Sequence, residues 1–337
     1  MKRYWMVAAI AAAALAAEGY HVTGKIKIGG AGRWDYCYMD NANRRLYVSH
    51  GAQTDVVDVD AGKVVGTIPD TPGVHGIAVA DDLGKGFTSN GQGNNVTAFD
   101  LKTLQKVGEA KTGGNPDAIC YEPKTHRVLT FNGGNSHSAT VIDAKTMEVV
   151  GTLEVGGKPE FCATAGGGKM YDNIEDTSEV IEVDVAKPAV TRRTKIDPCD
   201  EPSGLAIDGK DGVLFSVCGN KTMAVTDIKS FKVIATPAIG QGPDAAGFDA
   251  GLGLAFSSNG QDGTLTVVKK VDGKWQPVET AQTERGARTM AVDAKEHKIY
   301  LLAAEYAAPA TQPQGEQKKG GRPQAIPDSF HVLVVSK

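Results

Sequence analysis

The sequence repeats itself about every 42 residues. A four-residue pattern opened by Tyr, Phe or Leu occurs seven times, at intervals of 40, 42, 42, 44, 41 and 44 residues. The pattern begins at Tyr47, Phe87, Leu129, Tyr171, Phe215, Phe256 and Tyr300. Each repeat contains short runs rich in Val, Ile and Thr that are bounded by Gly, Asn and Asp, as expected for strands and turns. A period of this length with strand-like content is typical of a β-propeller.

Each repeat divides into four short strands. In the third repeat, strands are predicted over 116–121, 126–132, 139–143 and 147–154. An aspartate recurs with the same period at Asp58, Asp100, Asp143, Asp184 and Asp227. Apolar residues do not recur at a spacing of 3.6 after the N-terminus, so almost no helix is expected. The predicted fold is therefore all-β: a single seven-bladed β-propeller domain with four-stranded blades, over residues 18–337.

The last blade is expected to contain both ends of the chain. A C-terminal strand at 330–335 takes the third position of its repeat, and only two residues follow it. The missing fourth strand is predicted at 20–28, whose pattern matches that of 147–155. Closure of this kind removes the exposed strand edges of an open sheet. The N-terminal strand is therefore predicted to close the ring.

One segment, 306–327, interrupts the seventh repeat with low apolar content and is predicted to be a flexible insertion. It lies between the second and third strands, at the end of the propeller where ligands usually bind. Two interpretations are open, a mobile lid or partner tether and an insertion without a role. Its basic residues Lys318, Lys319 and Arg322 would shield an acidic channel mouth electrostatically.

The first 17 residues predict a signal peptide that is removed. Lys2 and Arg3 precede an apolar run too short to span a bilayer, and small residues at 14–16 suit a signal peptidase. The alternative is an N-terminal membrane anchor. Cleavage would place the protein in the periplasm, outside the cell or on its surface. It would also change the net charge from −4 to −6, and such a chain has no electrostatic footprint for nucleic acid.

The five cysteines do not have the spacing of a zinc site. Cys199 precedes the first strand of blade five, and Cys218 ends its second strand. In an oxidising compartment these two either form a disulfide or stay free. Cys37, Cys120 and Cys162 are expected to be buried, small apolar residues.

One polar position recurs at the start of the innermost strand. It holds Asp35, His75, Asp117, Glu160, Ser203, Asp244 and Arg288, eleven or twelve residues before each repeated pattern. The repeat places these side chains around the mouth of the central channel. Two interpretations are open: the acids accept backbone N–H bonds and start the strand, or the ring binds a ligand or a cation. A turn has no need of His75, Glu160 or Arg288, so these three favour binding.

A second recurring position ends the second strand. It holds asparagine before glycine in three repeats, at Asn90, Asn132 and Asn259, which is typical of a turn. His50 occupies the same position without that advantage and is therefore a candidate ligand-binding residue. Trp34 stands where other repeats have proline. It is expected either to wall the binding site or to cap the core.

The repeat resembles that of the YVTN-family β-propellers. The resemblance rests on Val-Val-Gly-Thr-Leu-Glu-Val-Gly-Gly-Lys-Pro at 149–159, after Val-Ile-Asp at 141–143, and it extends over the whole mature chain. Blade four and the insertion depart most from the pattern. The resemblance implies an exported or surface propeller, a group mostly assigned to binding, while the same architecture also carries lactonases.

The predicted function is non-enzymatic binding of a protein, glycan or small molecule by a monomer, through Asp35, His50, His75, Asp117, Glu160, Asp244 and Arg288. The alternative is a metal-assisted, lactonase-like hydrolase. Its divalent cation would be held by Asp35, His75, Glu160 and Asp244. No nucleotide loop, haem motif or serine-nucleophile elbow is present, so no organic cofactor is expected.

Overall fold

Seven four-stranded antiparallel sheets form the blades of a β-propeller in the computed structural model, which describes residues 19–30, 33–306 and 325–337. The only helical segment in these ranges is a short 3₁₀ turn, Asp81–Leu83. The predicted seven-bladed, all-β fold is therefore confirmed. The predicted signal peptide and residues 307–324 of the predicted insertion lie outside the described residues, so neither prediction is tested.

The strands of each blade are named a to d from the channel outwards. Blade one comprises Cys37–Asp40, Arg45–His50, Gln53–Asp58 and Lys63–Ile68; blade two, Val74–Ala80, Lys85–Asn90, Asn95–Asp100 and Lys106–Lys111; blade three, Pro116–Glu122, Arg127–Asn132, Ser138–Asp143 and Val149–Glu154; blade four, Pro159–Ala163, Lys169–Ile174, Glu179–Asp184 and Ala189–Lys195. Blade five comprises Pro202–Asp208, Val213–Cys218, Thr222–Asp227 and Lys232–Ala235; blade six, Pro243–Asp249, Leu254–Asn259, Thr264–Val271 and Lys274–Gln282; blade seven, Met290–Asp293, Lys298–Ala303, His331–Ser336 and His21–Lys27.

The recurring Tyr, Phe or Leu lies in strand b and fills the space between blades. All seven of its residues are buried, most of them completely. Tyr47 of blade one, for example, packs against Phe99 of blade two with ring centroids 5.4 Å apart. Burial of large side chains is the main favourable contribution to folding. The sequence repeat is therefore primarily a repeat of core contacts.

The recurring aspartate ends strand c and forms the turn to strand d. The Asp143 carboxylate accepts the backbone N–H groups of Lys145 and Thr146 at 2.9 and 3.0 Å. Such bonds favour the ionised carboxylate. Hydrogen bonds from these turns accordingly lower the pKa of Asp100, Asp143, Asp184 and Asp227.

The N-terminal strand closes the ring, as the sequence predicts. His21–Lys27 pairs antiparallel with His331–Ser336 and is the outermost strand of blade seven. The backbone N–H groups of Ile28 and Gly29 extend this contact by donating to the carbonyl of Phe330. Both ends of the chain therefore belong to one sheet.

Two disulfides are present. Cys199 and Cys218 form the pair expected from the sequence. Cys120 and Cys162 form a second bridge, between strand a of blade three and strand a of blade four. The expectation that these two are simply buried apolar residues is therefore wrong, because neighbouring inner strands bring equivalent positions of adjacent repeats together. Only Cys37 is free, and it is buried.

Candidate functional site at the channel mouth

The polar position at the start of strand a forms a chain of contacts around the channel mouth. His75 Nδ1 lies 2.6 Å from Asp35 Oδ2 and 3.7 Å from Asp117 Oδ1. Arg288 donates to Asp35 Oδ1 at 3.2 Å and also contacts Asp244. These contacts join strands of five blades, in the order three, two, one, seven and six. Five of the predicted site residues are thus brought together.

Glu160 lies on the remaining side of the mouth and has its own partner. Lys158 Nζ lies 2.6 Å from Glu160 Oε1 and also contacts Glu175. Ser203, the blade-five member, donates its hydroxyl to the carbonyl of Pro243. Neither Glu160 nor the carboxylates of the contact chain accept a backbone N–H group among the described residues, unlike the turn aspartates.

An aromatic contact lies directly behind this ring. Tyr36 and Phe161 follow Asp35 and Glu160 in sequence, and their ring centroids are 4.5 Å apart although they come from blades one and four. The Tyr36 hydroxyl donates to the carbonyl of Asp244 at 3.4 Å. A central cavity of about 470 Å³ is lined by strand-a residues of all seven blades, mostly apolar, and these two rings contribute to its wall. The mouth is therefore charged and the channel behind it is apolar.

Burial raises the pKa of two acids at the mouth, Asp117 and Glu160. Burial raises the pKa of Asp117 to about 6, with the charge of Asp35 adding to the shift and His75 opposing it. Burial likewise raises the pKa of Glu160 to about 8, against the effect of Lys158. For His75, burial alone would lower the pKa, but the hydrogen bond with Asp35 and the charge of Asp117 outweigh it and raise the pKa to about 9.

Asp172, in strand b of blade four, is a member of this cluster that sequence reasoning missed. It is completely buried, and neither carboxylate oxygen accepts a hydrogen bond of normal geometry among the described residues. Burial, with the nearby charges of Glu160 and Asp117, raises its pKa well above the usual range, although the backbone of Glu160 opposes the shift. The repeat did contain a signal. The equivalent positions hold Val, Thr, Ser or Leu, so an acid at this buried position is anomalous.

His50 is not brought into the ring. It is buried, its Nδ1 lies 2.7 Å from Asp55 Oδ2 in strand c, and its ring packs against Phe330. Asn90 in the equivalent position bonds across to Asn95 and Thr97 in the same way. His50 therefore connects strands b and c. The asparagines of this position are likewise strand-to-strand connectors rather than simple turn residues.

Trp34 and Tyr306 lie near the mouth but are not part of the ring. Trp34 stacks on Phe330 at 4.5 Å and packs against a core cluster, so it caps the core rather than walling the site. Tyr306 begins the predicted insertion and forms an isolated bridge with Ala325. Its ring covers Gly286, close to Arg288. The insertion therefore starts and ends beside the mouth.

Solved structures that share this fold include the following two. Hydrazine synthase of Kuenenia stuttgartiensis has a TM-score of 0.68 and 18% identity, covering 79% of this chain and 91% of that chain. U3-55K has a TM-score of 0.72 and 9% identity, covering 92% and 97%. At these identities the likeness concerns the propeller fold alone. No family model matches the chain, and no curated protein matches it.

Proposed function

We propose that this chain is an exported, monomeric β-propeller that binds a ligand non-enzymatically at the channel mouth. The observation that carries the proposal is how the ring residues are used. Asp35, Asp117, Glu160 and Asp244 contact other charged side chains rather than capping backbone groups. Because removing charges from water is costly, a partly buried polar cluster that does not hold the turns together is a candidate for function.

The ligand class follows from the composition of the mouth. It offers cationic donors, carboxyl groups and the edge of an aromatic pair, which suits a polar molecule such as a glycan, a peptide segment of a partner protein or a small metabolite. The YVTN-type repeat supports a binding role for a periplasmic or secreted protein. Two disulfides fit an oxidising compartment. Among the residues that the structure describes, no helix is long and apolar enough to cross a membrane.

A screen by thermal shift tests the binding role. Panels of oligosaccharides, short peptides and small carboxylic acids are added to protein in EDTA, since a compound that binds the native state raises its melting temperature. The double variant His75→Ala/Arg288→Ala is expected to lose the shift while its stability changes by less than about 1 kcal/mol.

The control for this screen is His126→Ala/His297→Ala. These histidines lie in the turns between strands a and b, where they pair with Asp82 and Asp249. This variant is expected to keep the shift. If it loses the shift and the mouth variant keeps it, function lies on the opposite face.

Metal-assisted hydrolysis is the second candidate, favoured by the close grouping of Asp35, His75 and Asp117. In the metal-ligand set predicted from the sequence, Asp117 replaces Glu160 and Asp244, since Glu160 is paired with Lys158 and Asp244 with Arg288. A metal in this position would polarise a carbonyl or activate a water. The hydrolase predicts lactone cleavage that EDTA abolishes and Asp117→Asn reduces at least tenfold, whereas the binding role predicts no cleavage above that of buffer.

A further inference from the structure

Three side chains at the channel mouth are arranged as a ligand set. Asp35, His75 and Asp117 come from three neighbouring blades, and one ligand atom of each lies within 4.8 Å of the other two. We propose that they hold one divalent first-row transition-metal ion, with Zn²⁺ preferred to Mn²⁺ and both preferred to Mg²⁺ and Ca²⁺. This inference rests on the proposed binding function of the mouth and specifies a ligand for it.

The distances suit such an ion. Ligand atoms bound tetrahedrally to Zn²⁺ at about 2.0–2.2 Å are separated by about 3.3 Å. The two separations from His75 Nδ1, 2.6 Å to Asp35 and 3.7 Å to Asp117, lie on either side of that value. The third separation, between Asp35 and Asp117, is within 4.8 Å, so side-chain rotations would be needed to bring all three atoms to the tetrahedral spacing. The three side chains are 18–28% exposed, which leaves the fourth coordination position open towards the mouth.

The donor atoms decide the class of metal. One imidazole nitrogen and two carboxylate oxygens suit Zn²⁺ and Mn²⁺, whereas Mg²⁺ and Ca²⁺ prefer oxygen alone. Among divalent ions, Zn²⁺ binds such a site more tightly than Mn²⁺ does.

Asp172 is a second, buried carboxyl group beside this set that lacks a hydrogen-bond partner among the described residues. Its carboxylate is completely buried without a hydrogen bond of normal geometry among the described residues, and it lies near enough to Asp117 and Glu160 for their charges to interact. A buried carboxyl without a partner requires an explanation, and an absent ion is one of the usual ones. A cation held by Asp117 would favour the ionised form of Asp172 without binding it directly.

Arg288 leaves the proposed ligand oxygen of Asp35 accessible, and the metal would replace the proton shared by His75 Nδ1 and Asp35 Oδ2. Arg288 contacts Oδ1 of Asp35, whereas the proposed ligand atom is Oδ2. The side chain of Asn115 hydrogen-bonds the imidazole, and Gly91 leaves room for the ring, since a Cβ there would lie 2.6 Å from His75 Nε2. Support of this kind fixes the orientation of a metal-binding histidine.

Another His–Asp pair provides a matched control. His297 Nδ1 lies 2.7 Å from Asp249 Oδ2, as close as the pair at the mouth. Among the described residues, only the set at the mouth brings three potential ligands together. His297→Gln therefore removes an equivalent pair without touching the proposed site.

Isothermal titration of tag-free mature protein, stripped with EDTA and dialysed, tests the site with ZnCl₂, MnCl₂, MgCl₂ and CaCl₂ alone. Wild type and His297→Gln are expected to bind one Zn²⁺ with equal affinity, and Mn²⁺ more weakly. Asp117→Asn and His75→Gln are expected to bind Zn²⁺ at least tenfold more weakly. Absence of Zn²⁺ binding in wild type, equal binding by the variants, or preference for Ca²⁺ would overturn the proposal.

Nitrogen NMR of the histidines in wild-type protein tests the same site without a variant that could fail to fold. Zn²⁺ is expected to shift the imidazole resonances of His75 while those of His297 stay in place, and the reverse pattern contradicts the site. Because the organic ligand screen is run in EDTA, the two proposals fail separately. Zn²⁺ binding without any organic ligand would leave the metal site standing, and the opposite result would leave only the binding function.

Discussion

The turn aspartates and the acids of the channel mouth each occupy a position that recurs along the repeats, yet their surroundings differ. Asp143 ends strand c, accepts two backbone N–H groups and has a lowered pKa. Glu160 begins strand a, accepts no backbone N–H group among the described residues and has a pKa raised to about 8 by burial. Recurrence therefore does not distinguish an acid that stabilises the fold from one whose ionised form is disfavoured by burial. The hydrogen-bond partners of the carboxyl group distinguish the two.

The largest effect is expected from the inter-blade disulfide, which holds strand a of blade three against strand a of blade four, near Asp117 and Glu160. Cys120 and Cys162 are 42 residues apart in sequence, so Cys120→Ser/Cys162→Ser should lower the free energy of unfolding by about 4 kcal/mol in the chain-entropy model. If the bridge helps to enforce burial of the mouth, the pKa of Glu160 should also move towards its usual value, as followed by carboxyl NMR.

Cys199→Ser/Cys218→Ser is the matched control, because its loop is shorter. It should cost about 3 kcal/mol and leave Glu160 unchanged. Thiol counting on denatured, unreduced wild type should find one free thiol, that of Cys37. Three free thiols would mean that one of the two bridges is absent.

A smaller effect is expected from two buried aspartates, one of which serves the fold. Asp249 accepts the backbone N–H groups of Gly251 and Leu252, whereas Asp172 has no hydrogen bond of normal geometry within the described part of the chain. Removing an unsatisfied buried polar group in favour of an apolar one of similar shape is neutral or stabilising. In guanidinium unfolding, Asp172→Leu should raise stability by about 1–2 kcal/mol. Asp249→Leu should lower it by a similar amount or more. Loss of stability in both would assign Asp172 to the fold as well.

The fold was predictable because its determinants repeat. Tyr47 and its equivalents mark strand b, and the match between 20–28 and 147–155 reveals the closing strand. The mouth ring was predictable for the same reason, since His75 and Arg288 stand out against the acids of their position. These are properties of single residues compared with their own repeat equivalents.

The remaining features depend on contacts between repeats or across the channel. The pairing of Tyr36 with Phe161 joins blades one and four, and a repeat pattern contains no information on which side chains meet in the centre. The bridge from Cys120 to Cys162 depends on how closely two inner strands approach. His50 was predicted to bind a ligand because it stands where other blades have asparagine. In the structure it connects strands b and c as those asparagines do, but through a bond to Asp55.

The most direct test of the contrast compares Glu160→Gln with Asp143→Asn, measuring unfolding free energy between pH 4 and pH 8.5. Because its folded pKa is about 8 against an ordinary 4.5, Glu160 holds a proton that the unfolded chain loses, so its presence reduces stability as pH rises through this window. The free energy of unfolding of Glu160→Gln should match that of wild type at pH 4 and exceed it at pH 8.5 by more than about 1 kcal/mol, since one pKa unit corresponds to about 1.4 kcal/mol.

Asp143 has a lowered pKa, so its contribution to stability is present above its unfolded pKa and lost in acid. Asp143→Asn should therefore be less stable than wild type at pH 8.5, by about 0.5–1 kcal/mol for a partly exposed group. Effects of the same sign in the two variants would contradict the account.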